Sequence, residues 1–128
     1  MRLLLDTHAL LWALSANPRL SSRARAAILD EESEIIVSSV CAFEITTKYR
    51  LGKLPEFAGI AEDFPAMLTA FAHSPLPVTI DHAALAGRLE IDHADPFDRL
   101  LIAQAMVEGL TLVSNEKLFD SFGVQRLW

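Results

Sequence analysis

The sequence has little cysteine, no long apolar run and no excess of positive charge. Its single cysteine, Cys41, excludes a disulfide within the chain, so the fold must be held by a packed core. The longest apolar runs, such as residues 9–14, are far too short to cross a membrane. The first residues also lack the long apolar core of a signal peptide. We therefore expect a cytoplasmic protein without a membrane segment.

Positive charge is scarce, because 11 lysines and arginines face 17 acidic residues and leave a net charge of −6. Extended binding along a nucleic acid depends on a basic surface that neutralises phosphates. The overall charge therefore argues against such binding, and any contact with nucleic acid would need a local basic patch.

Linker-like sequence is also missing, because no Gly/Ser-rich or Pro-rich stretch divides the 128 residues. This length suits one domain with a single core, spanning 1–128. Hydrophobic residues nevertheless make up 52% of the chain, and the mean hydropathy is +0.29. A small domain leaves part of such an apolar content at its surface, which favours a protein partner over a core that is merely well filled.

Short apolar segments alternate with helical patterns along the chain. Strands are predicted at residues 2–5, 34–37, 78–80, 110–113 and 124–127. Helices are predicted at residues 7–14 (capped by Thr7), 23–30, 38–51, 57–72, 81–89 (capped by Asp81), 95–108 and 115–119. This alternation predicts an α/β domain with a mainly parallel sheet.

Acidic residues follow the predicted strands or open the helices. Asp6 ends the first strand, Glu44 lies in the first turns of the helix after the second, and Glu116 follows the fourth by three residues. Asp95 and Asp98 open the long helix that leads to this fourth strand. Because the carboxyl ends of parallel strands share one edge of a sheet, we expect these acids to gather there.

A cluster of carboxylates requires a cation, because two of them about 4 Å apart repel by about 4 kcal/mol at an effective dielectric near 20. Oxygen ligands select hard cations such as Mg²⁺ or Mn²⁺, which suit phosphodiester hydrolysis. Structural alternatives stay open: Asp95 is a good helix cap, Glu44 and Lys48 form an i,i+4 pair, and Glu116 complements a helix dipole. Asp6 is the exception, because it has no evident local cation.

Four segments resemble the PIN-domain family and, within it, VapC-like toxins. They are LLLDTHALLW, SSVCAFEITTKYRLGKL, HADPFDRLLIAQA and LTLVSNEKLFDSFGVQRLW, in the family's order and spacing. The resemblance implies a three-layer α/β sandwich with a mainly parallel central sheet flanked by helices. It also implies Mg²⁺- or Mn²⁺-dependent endoribonuclease activity, a cognate antitoxin and a homodimer.

Residue by residue, the resemblance implies that Asp6, Glu44 and Asp98 are catalytic acids and metal ligands. Asp95 corresponds to an additional acid in members that carry the DPFDR form. Glu116 occupies a place where many members carry Asp, so its carboxylate is one methylene further from the backbone.

Two small polar residues and a few basic residues complete the expected site. Ser114 matches a hydroxyl residue that orders the acids, and Thr7 is expected to support them. The candidates for RNA contact are Lys48, Arg50, Lys53 and Arg99. They would supply local positive charge, although a solvated helix end would also carry such residues.

Two other functions are compatible with the acids. A phosphatase for small phosphate esters that forms an aspartyl-phosphate would carry Asp-x-Asp after the first strand, but position 8 is His8. A non-catalytic interaction domain of the same fold is the other alternative, with Glu116 in its favour. His8 or His93 could border the site, although neither shows the spacing of a zinc site.

Overall fold

Parallel strands form the centre of the fold in the computed structural model, which describes residues 1–90 and 95–128. Within these residues the sheet has five strands: β1 (Arg2–Leu5), β2 (Glu34–Ser38), β3 (Ser74–Leu76), β4 (Thr111–Val113) and β5 (Arg126–Leu127). Their order is β3-β2-β1-β4-β5, and every neighbouring pair is parallel. The predicted α/β fold with a parallel sheet is confirmed.

Helices flank the sheet and connect its strands. They are α1 (Thr7–Leu14), α2 (Ser22–Leu29), α3 (Ser39–Arg50), α4 (Ala58–Glu62), α5 (Phe64–Ala70), α6 (Ile80–Arg88) and α7 (Pro96–Glu108), with 3₁₀ turns at Pro55–Phe57 and Lys117–Phe122. In the described part of the chain, no helix is long and apolar enough to span a membrane.

The central strand β1 explains why the sheet is covered on both faces. Its three consecutive leucines, Leu3, Leu4 and Leu5, are all 0% exposed. Successive side chains of a strand point to opposite faces, so an uninterrupted buried run requires helices on both sides. Residues Ile35 to Val37 of β2 are buried in the same way.

The order in which strands are added to the sheet reverses between β1 and β4, although all strands stay parallel. The chain first builds β2 and β3 on one side of β1, and then returns to form β4 and β5 on the other. Leu5 and Val113 are paired in register, so Asp6 and Ser114 leave neighbouring strands at the same level. Ligands of open parallel sheets bind in the crevice beside such a reversal.

The predicted strand at 78–80 is wrong, because the third strand is β3, four residues earlier. Thr79 caps α6 instead of extending a strand, and its hydroxyl accepts the backbone N–H of His82 at 3.2 Å. The prediction that Asp81 caps this helix is therefore also wrong. Pro75 is tolerated in β3 because this is an edge strand, where a missing N–H breaks no ladder.

The single helix predicted at 57–72 is also wrong, because the chain forms the first 3₁₀ turn, α4 and α5 there. Pro65 lies in the first turn of α5, where proline is tolerated, and the Asp63 carboxylate caps this helix by accepting the N–H of Ala66 at 3.1 Å. The short helix predicted at 115–119 is the 3₁₀ turn Lys117–Phe122, and the last strand is only two residues long.

Helix α7 begins and ends as predicted. Asp95 caps it ahead of Pro96, and Gly109 ends it with a φ of 65°. That left-handed conformation is open to glycine without a Cβ penalty, which explains a glycine at this helix end.

Candidate active site

An acidic cleft of about 170 Å³ opens beside the crevice between β1 and β4. The predicted acids all line it: Asp6, Glu44, Asp95, Asp98 and Glu116. Thr7, His8, Lys48 and Leu101 complete the wall. The fold therefore brings together the acids that the sequence singled out, although they come from four separate segments.

Asp6 is the most deeply placed of these acids, with 7% of its surface exposed. It is the cap of α1, correcting the prediction for Thr7, and its Oδ1 accepts the N–H of Ala9 at 2.8 Å. Burial raises the pKa of the Asp6 carboxyl above its usual range, and the negative charge of Asp98 adds to the rise. Hydrogen bonds from the Ser114 hydroxyl and the Ala9 N–H oppose this shift of the pKa, as does the proximity of His8.

Glu44 is held on both of its carboxylate oxygens. The Thr7 hydroxyl donates to Oε1 at 2.7 Å, and the Lys48 ammonium contacts Oε2 at 2.7 Å. The i,i+4 pair expected from the sequence is therefore present, and it lies inside the cleft. The Thr7 oxygen also lies 3.5 Å from the Sγ atom of Cys41, a second contact between α1 and α3.

The two acids at the start of α7, Asp95 and Asp98, make different contacts. The Asp95 carboxylate accepts the backbone N–H groups of Phe97 at 2.8 Å and Asp98 at 3.4 Å, so it serves the helix start while lining the cleft. Asp98 is close enough to Asp6 for the two charges to interact.

The segment after β4 supplies the remaining polar groups. Ser114 is fully buried, and its oxygen accepts the backbone N–H of Glu116 at 3.1 Å. One hydroxyl thus connects the Asp6 carboxylate to the loop that carries Glu116. Glu116 itself is exposed at the rim, where its longer side chain can change position.

The basic candidates occupy different environments. Lys48 lines the cleft, whereas Arg99 donates to the carbonyls of Leu89 at 2.7 Å and Gly87 at 3.3 Å, at the end of α6. Arg50 and Lys53 are exposed and are absent from the lining of the cleft.

His8 borders the cleft, as the sequence allowed, while His93 lies outside the described residues. The Cys41 thiol takes no part in this chemistry, because burial raises its pKa to about 12 and leaves it protonated at neutral pH.

Arg126, which holds the backbone at Ser114, was not predicted from the sequence. Its guanidinium donates to the carbonyl of Ser114 at 3.0 Å and binds both oxygens of Asp120, at 2.7 and 3.0 Å. It thereby fixes the backbone that carries the Ser114 hydroxyl. A lone arginine in a terminal strand gives no local sign of this contact, which spans 12 residues of sequence.

The donor set consists of carboxylate oxygens, which suit Mg²⁺ or Mn²⁺. Across residues 1–90 and 95–128, no three acidic, histidine or cysteine side chains are arranged as a ready-made metal site. Mg²⁺ usually takes only one or two carboxylates directly and keeps several waters. The cleft therefore fits a largely hydrated cation better than one enclosed by protein ligands.

Comparison with known families gives a match to the PIN domain over residues 3–124, nearly the whole chain. The chain belongs to the PIN domain family. Ribonuclease VapC16 of Mycobacterium tuberculosis is 38% identical over 76 residues, which are 56% of this chain and 52% of that relative. This PIN domain thus aligns with about half the length of that curated protein.

Solved structures share the fold of this PIN domain at low sequence identity. A chain of VapBC2 from Rickettsia felis, bound to a DNA fragment from its promoter, has a TM-score of 0.67 and 18% identity, with 100% of both chains covered. A chain of FitAcB from Neisseria gonorrhoeae has a TM-score of 0.69 and 20% identity, covering 97% of this chain and 95% of the other.

The buried charge of Asp6 should lower the stability of the metal-free protein. We expect Asp6→Asn to raise the free energy of unfolding at pH 7, because asparagine removes the charge and still caps α1. Asp6→Ala is the matched control, and it should be about 1 kcal/mol less stable than Asp6→Asn because the cap is lost. Urea unfolding in a chelator measures both differences.

The same carboxylate also makes the stability of the protein depend on pH. Because the pKa of Asp6 is raised in the folded state, the folded protein retains a proton that the unfolded chain has already released. The contribution of Asp6 to stability therefore falls as pH rises from about 4, its ordinary pKa, through the folded-state pKa. Asp6→Asn should have a flatter profile over that window, and an unchanged slope would contradict the assignment.

Proposed function

We propose that this PIN domain is a metal-dependent endoribonuclease and acts in the cytoplasm as the toxin of a VapBC-type toxin–antitoxin pair. The observation that carries the proposal is the buried Asp6 carboxylate, which faces Asp98 in a cleft lined by further acids. The name of the relative, Ribonuclease VapC16, supports the same activity.

Asp6, Glu44 and Asp98 are the proposed ligands of Mg²⁺ or Mn²⁺, with Asp95 and Glu116 at the rim. When bound, such a cation neutralises charge on the scissile phosphate and activates a water for attack. Its positive charge would also offset the burial and the smaller repulsion from Asp98 that raise the pKa of Asp6. This explains how one fold can maintain a carboxylate with so little exposure at neutral pH.

The protein residues around these acids orient them for the reaction. Ser114 and the Ala9 N–H hold Asp6, while Thr7 fixes Glu44 from the other side of the cleft. Lys48 lies at the cleft wall and can contact a phosphate oxygen while it balances Glu44. Glu116 is an exposed carboxylate at the rim that can take a proton from water.

Removing either facing carboxylate should abolish cleavage. We expect Asp6→Asn and Asp98→Asn each to lower the rate of Mg²⁺-dependent RNA hydrolysis by at least about 100-fold, since even groups that only orient metal ligands contribute 10–100-fold. The matched control is Asp81→Asn, which neutralises an exposed acid of α6 outside the cleft lining and should keep the wild-type rate.

The assay uses a labelled RNA, with thermal unfolding to show that each variant is folded. A chelator should stop wild-type cleavage, and added Mn²⁺ or Mg²⁺ should restore it. Full activity of folded Asp6→Asn would rule out Asp6 as an essential ligand. A wild-type protein that hydrolyses neither RNA nor a small phosphate ester would favour the non-catalytic alternative.

We propose further that a small antitoxin inhibits the enzyme by placing an arginine at the acidic cleft and an apolar segment in a separate groove of the domain. That groove is lined almost entirely by apolar side chains and prolines, among them Val37, Ala42, Phe64, Leu68 and Leu76. A guanidinium pairs with carboxylates in a bidentate manner and can stand where the cation would bind. The related folds solved as VapBC and FitAB assemblies are consistent with such a partner.

If the arginine competes with the cation, raising Mg²⁺ or Mn²⁺ should weaken the binding of the small protein encoded beside this chain. Asp98→Asn should weaken it as well, because one carboxylate of the ion pair is lost. Titration calorimetry measures both effects, with Asp81→Asn as the control. An affinity that responds to neither change would show that inhibition works by covering the RNA path instead.

We also propose a homodimer, because large apolar side chains remain at the surface of a single copy. Those more than half exposed are Met1, Leu29, Phe43, Leu51, Phe71 and Ile80. Burying such side chains between two copies would remove them from water. Sedimentation at micromolar concentration should show a dimer, and a single monomeric species would contradict the proposal.

A further inference from the structure

A second cavity, of about 520 Å³, opens beside the acidic cleft. Along α1 and the turn after it, this cavity is lined by His8, Trp12 and Arg19, and it is bordered on the opposite side by Leu54 and Phe57. His8 lines the acidic cleft as well, so the two depressions are adjacent. Its volume lies within the range of 300–1,000 Å³ that is usual for small-ligand pockets.

Aromatic rings form one wall of this cavity. His8 and Trp12 lie one helical turn apart on α1, and their rings stack with centroids 5.4 Å apart and an interplanar angle of 14°. Trp128 packs against Trp12 at 5.8 Å with a tilt of 59°, which supports the indole. His8 is exposed and Trp12 is half-buried, so part of each side chain remains open to solvent at the cavity.

The cationic side of the cavity is fixed by the turn after α1. The Arg19 guanidinium carbon lies 6.0 Å from the centroid of the Trp12 ring. Asn17 accepts the backbone N–H of Arg19 on its side-chain oxygen at 2.9 Å, and its own N–H donates to the carbonyl of Trp12 at 2.9 Å. Ala16 adopts the left-handed conformation, with a φ of 51°, two residues after the end of α1.

We propose that this cavity is a base-stacking subsite, in which a nucleobase of single-stranded RNA packs against His8 and Trp12 while a neighbouring phosphate lies in the acidic cleft. The inference rests on the proposed function, because it requires RNA as the ligand. Stacking on aromatic side chains accepts any base, since every base has a π-face. Arg19 contacts the backbone or stacks beside the base.

The overall charge favours such a subsite. A protein with a net charge of −6 has few basic groups to spread along an RNA backbone, so stacking adds affinity where phosphate neutralisation is limited. Stacking supplies affinity that does not depend on a basic surface. The mixture of lining groups also favours a base over an apolar peptide, because Ser15, Asn17, Arg19 and Glu56 offer hydrogen-bonding groups. The groove next to α5 lacks such a mixture.

The decisive measurement is the binding of a single-stranded RNA about eight nucleotides long, a length within usual single-strand site sizes, to proteins that also carry Asp98→Asn so that the RNA is not hydrolysed. In the presence of Mg²⁺, Trp12→Leu should weaken binding about tenfold or more, and Trp12→Phe should restore most of it. Phe71→Leu is the matched control, because Phe71 is an exposed aromatic outside both depressions. An oligomer of the same length without bases should bind wild type and Trp12→Leu equally.

Fluorescence gives a second readout that does not depend on cleavage. The chain has two tryptophans, so Trp12 is the only indole in the Trp128→Phe protein. Titration with the oligonucleotide should quench this emission with the dissociation constant found by direct binding. Thermal unfolding shows whether each variant is folded, and the Trp12→Phe protein keeps the test valid if Trp12→Leu is unstable.

The possible results separate the inference from the function on which it rests. If wild type binds and cleaves RNA but Trp12→Leu binds the oligonucleotide equally well, the stacking subsite is excluded and the proposed function stands. If wild type neither binds nor cleaves RNA, both are excluded. If Trp12→Leu keeps its affinity for the oligonucleotide but no longer binds the proposed antitoxin, the cavity is a protein docking site and the inference is overturned.

Discussion

The carboxylate of Asp6 is buried at the end of a strand whose last three side chains are leucines, and the rest of the site is arranged around this buried charge. An isolated ionised carboxylate is expensive to remove from water. Here the Ala9 N–H and the Ser114 hydroxyl donate hydrogen bonds that stabilise the ionised carboxylate, whereas the negative charge of Asp98 destabilises it. The balance leaves the pKa of the Asp6 carboxyl above its usual range, because burial outweighs these hydrogen bonds.

Helix caps supply much of the geometry of the cleft. Asp6 caps α1, Asp95 caps α7, and both carboxylates line the same depression. A capping carboxylate is held in place by backbone N–H groups that would otherwise lack a partner within the helix. Functional and structural explanations of these acids are therefore compatible, because the hydrogen bonds that stabilise the helix also orient the acid.

Local sequence patterns predicted an element correctly where the element depends on its own residues alone. The run of leucines before Asp6 predicted a buried parallel strand, and the Asp95–Pro96 start with Gly109 at the end predicted α7. Such patterns were insufficient where long-range contacts decided. Val78 looks like a strand residue, but its N–H is taken by the Ser39 hydroxyl at 3.1 Å, 39 residues away in sequence. The sequence also could not predict the Thr7–Glu44 and Arg126–Ser114 contacts, because their partners are 37 and 12 residues apart in the chain.

The position of β1 at the centre of the sheet also bears on the order in which the protein is made. β1 is the first strand synthesised, but its partner β4 and the helix carrying Asp98 come late in the sequence. Residues Arg126 and Trp128, which brace Ser114 and Trp12, come later still. A nascent chain thus carries Asp6 long before the opposing acids exist, and the acidic cleft can assemble only after α7 and β4 have been synthesised.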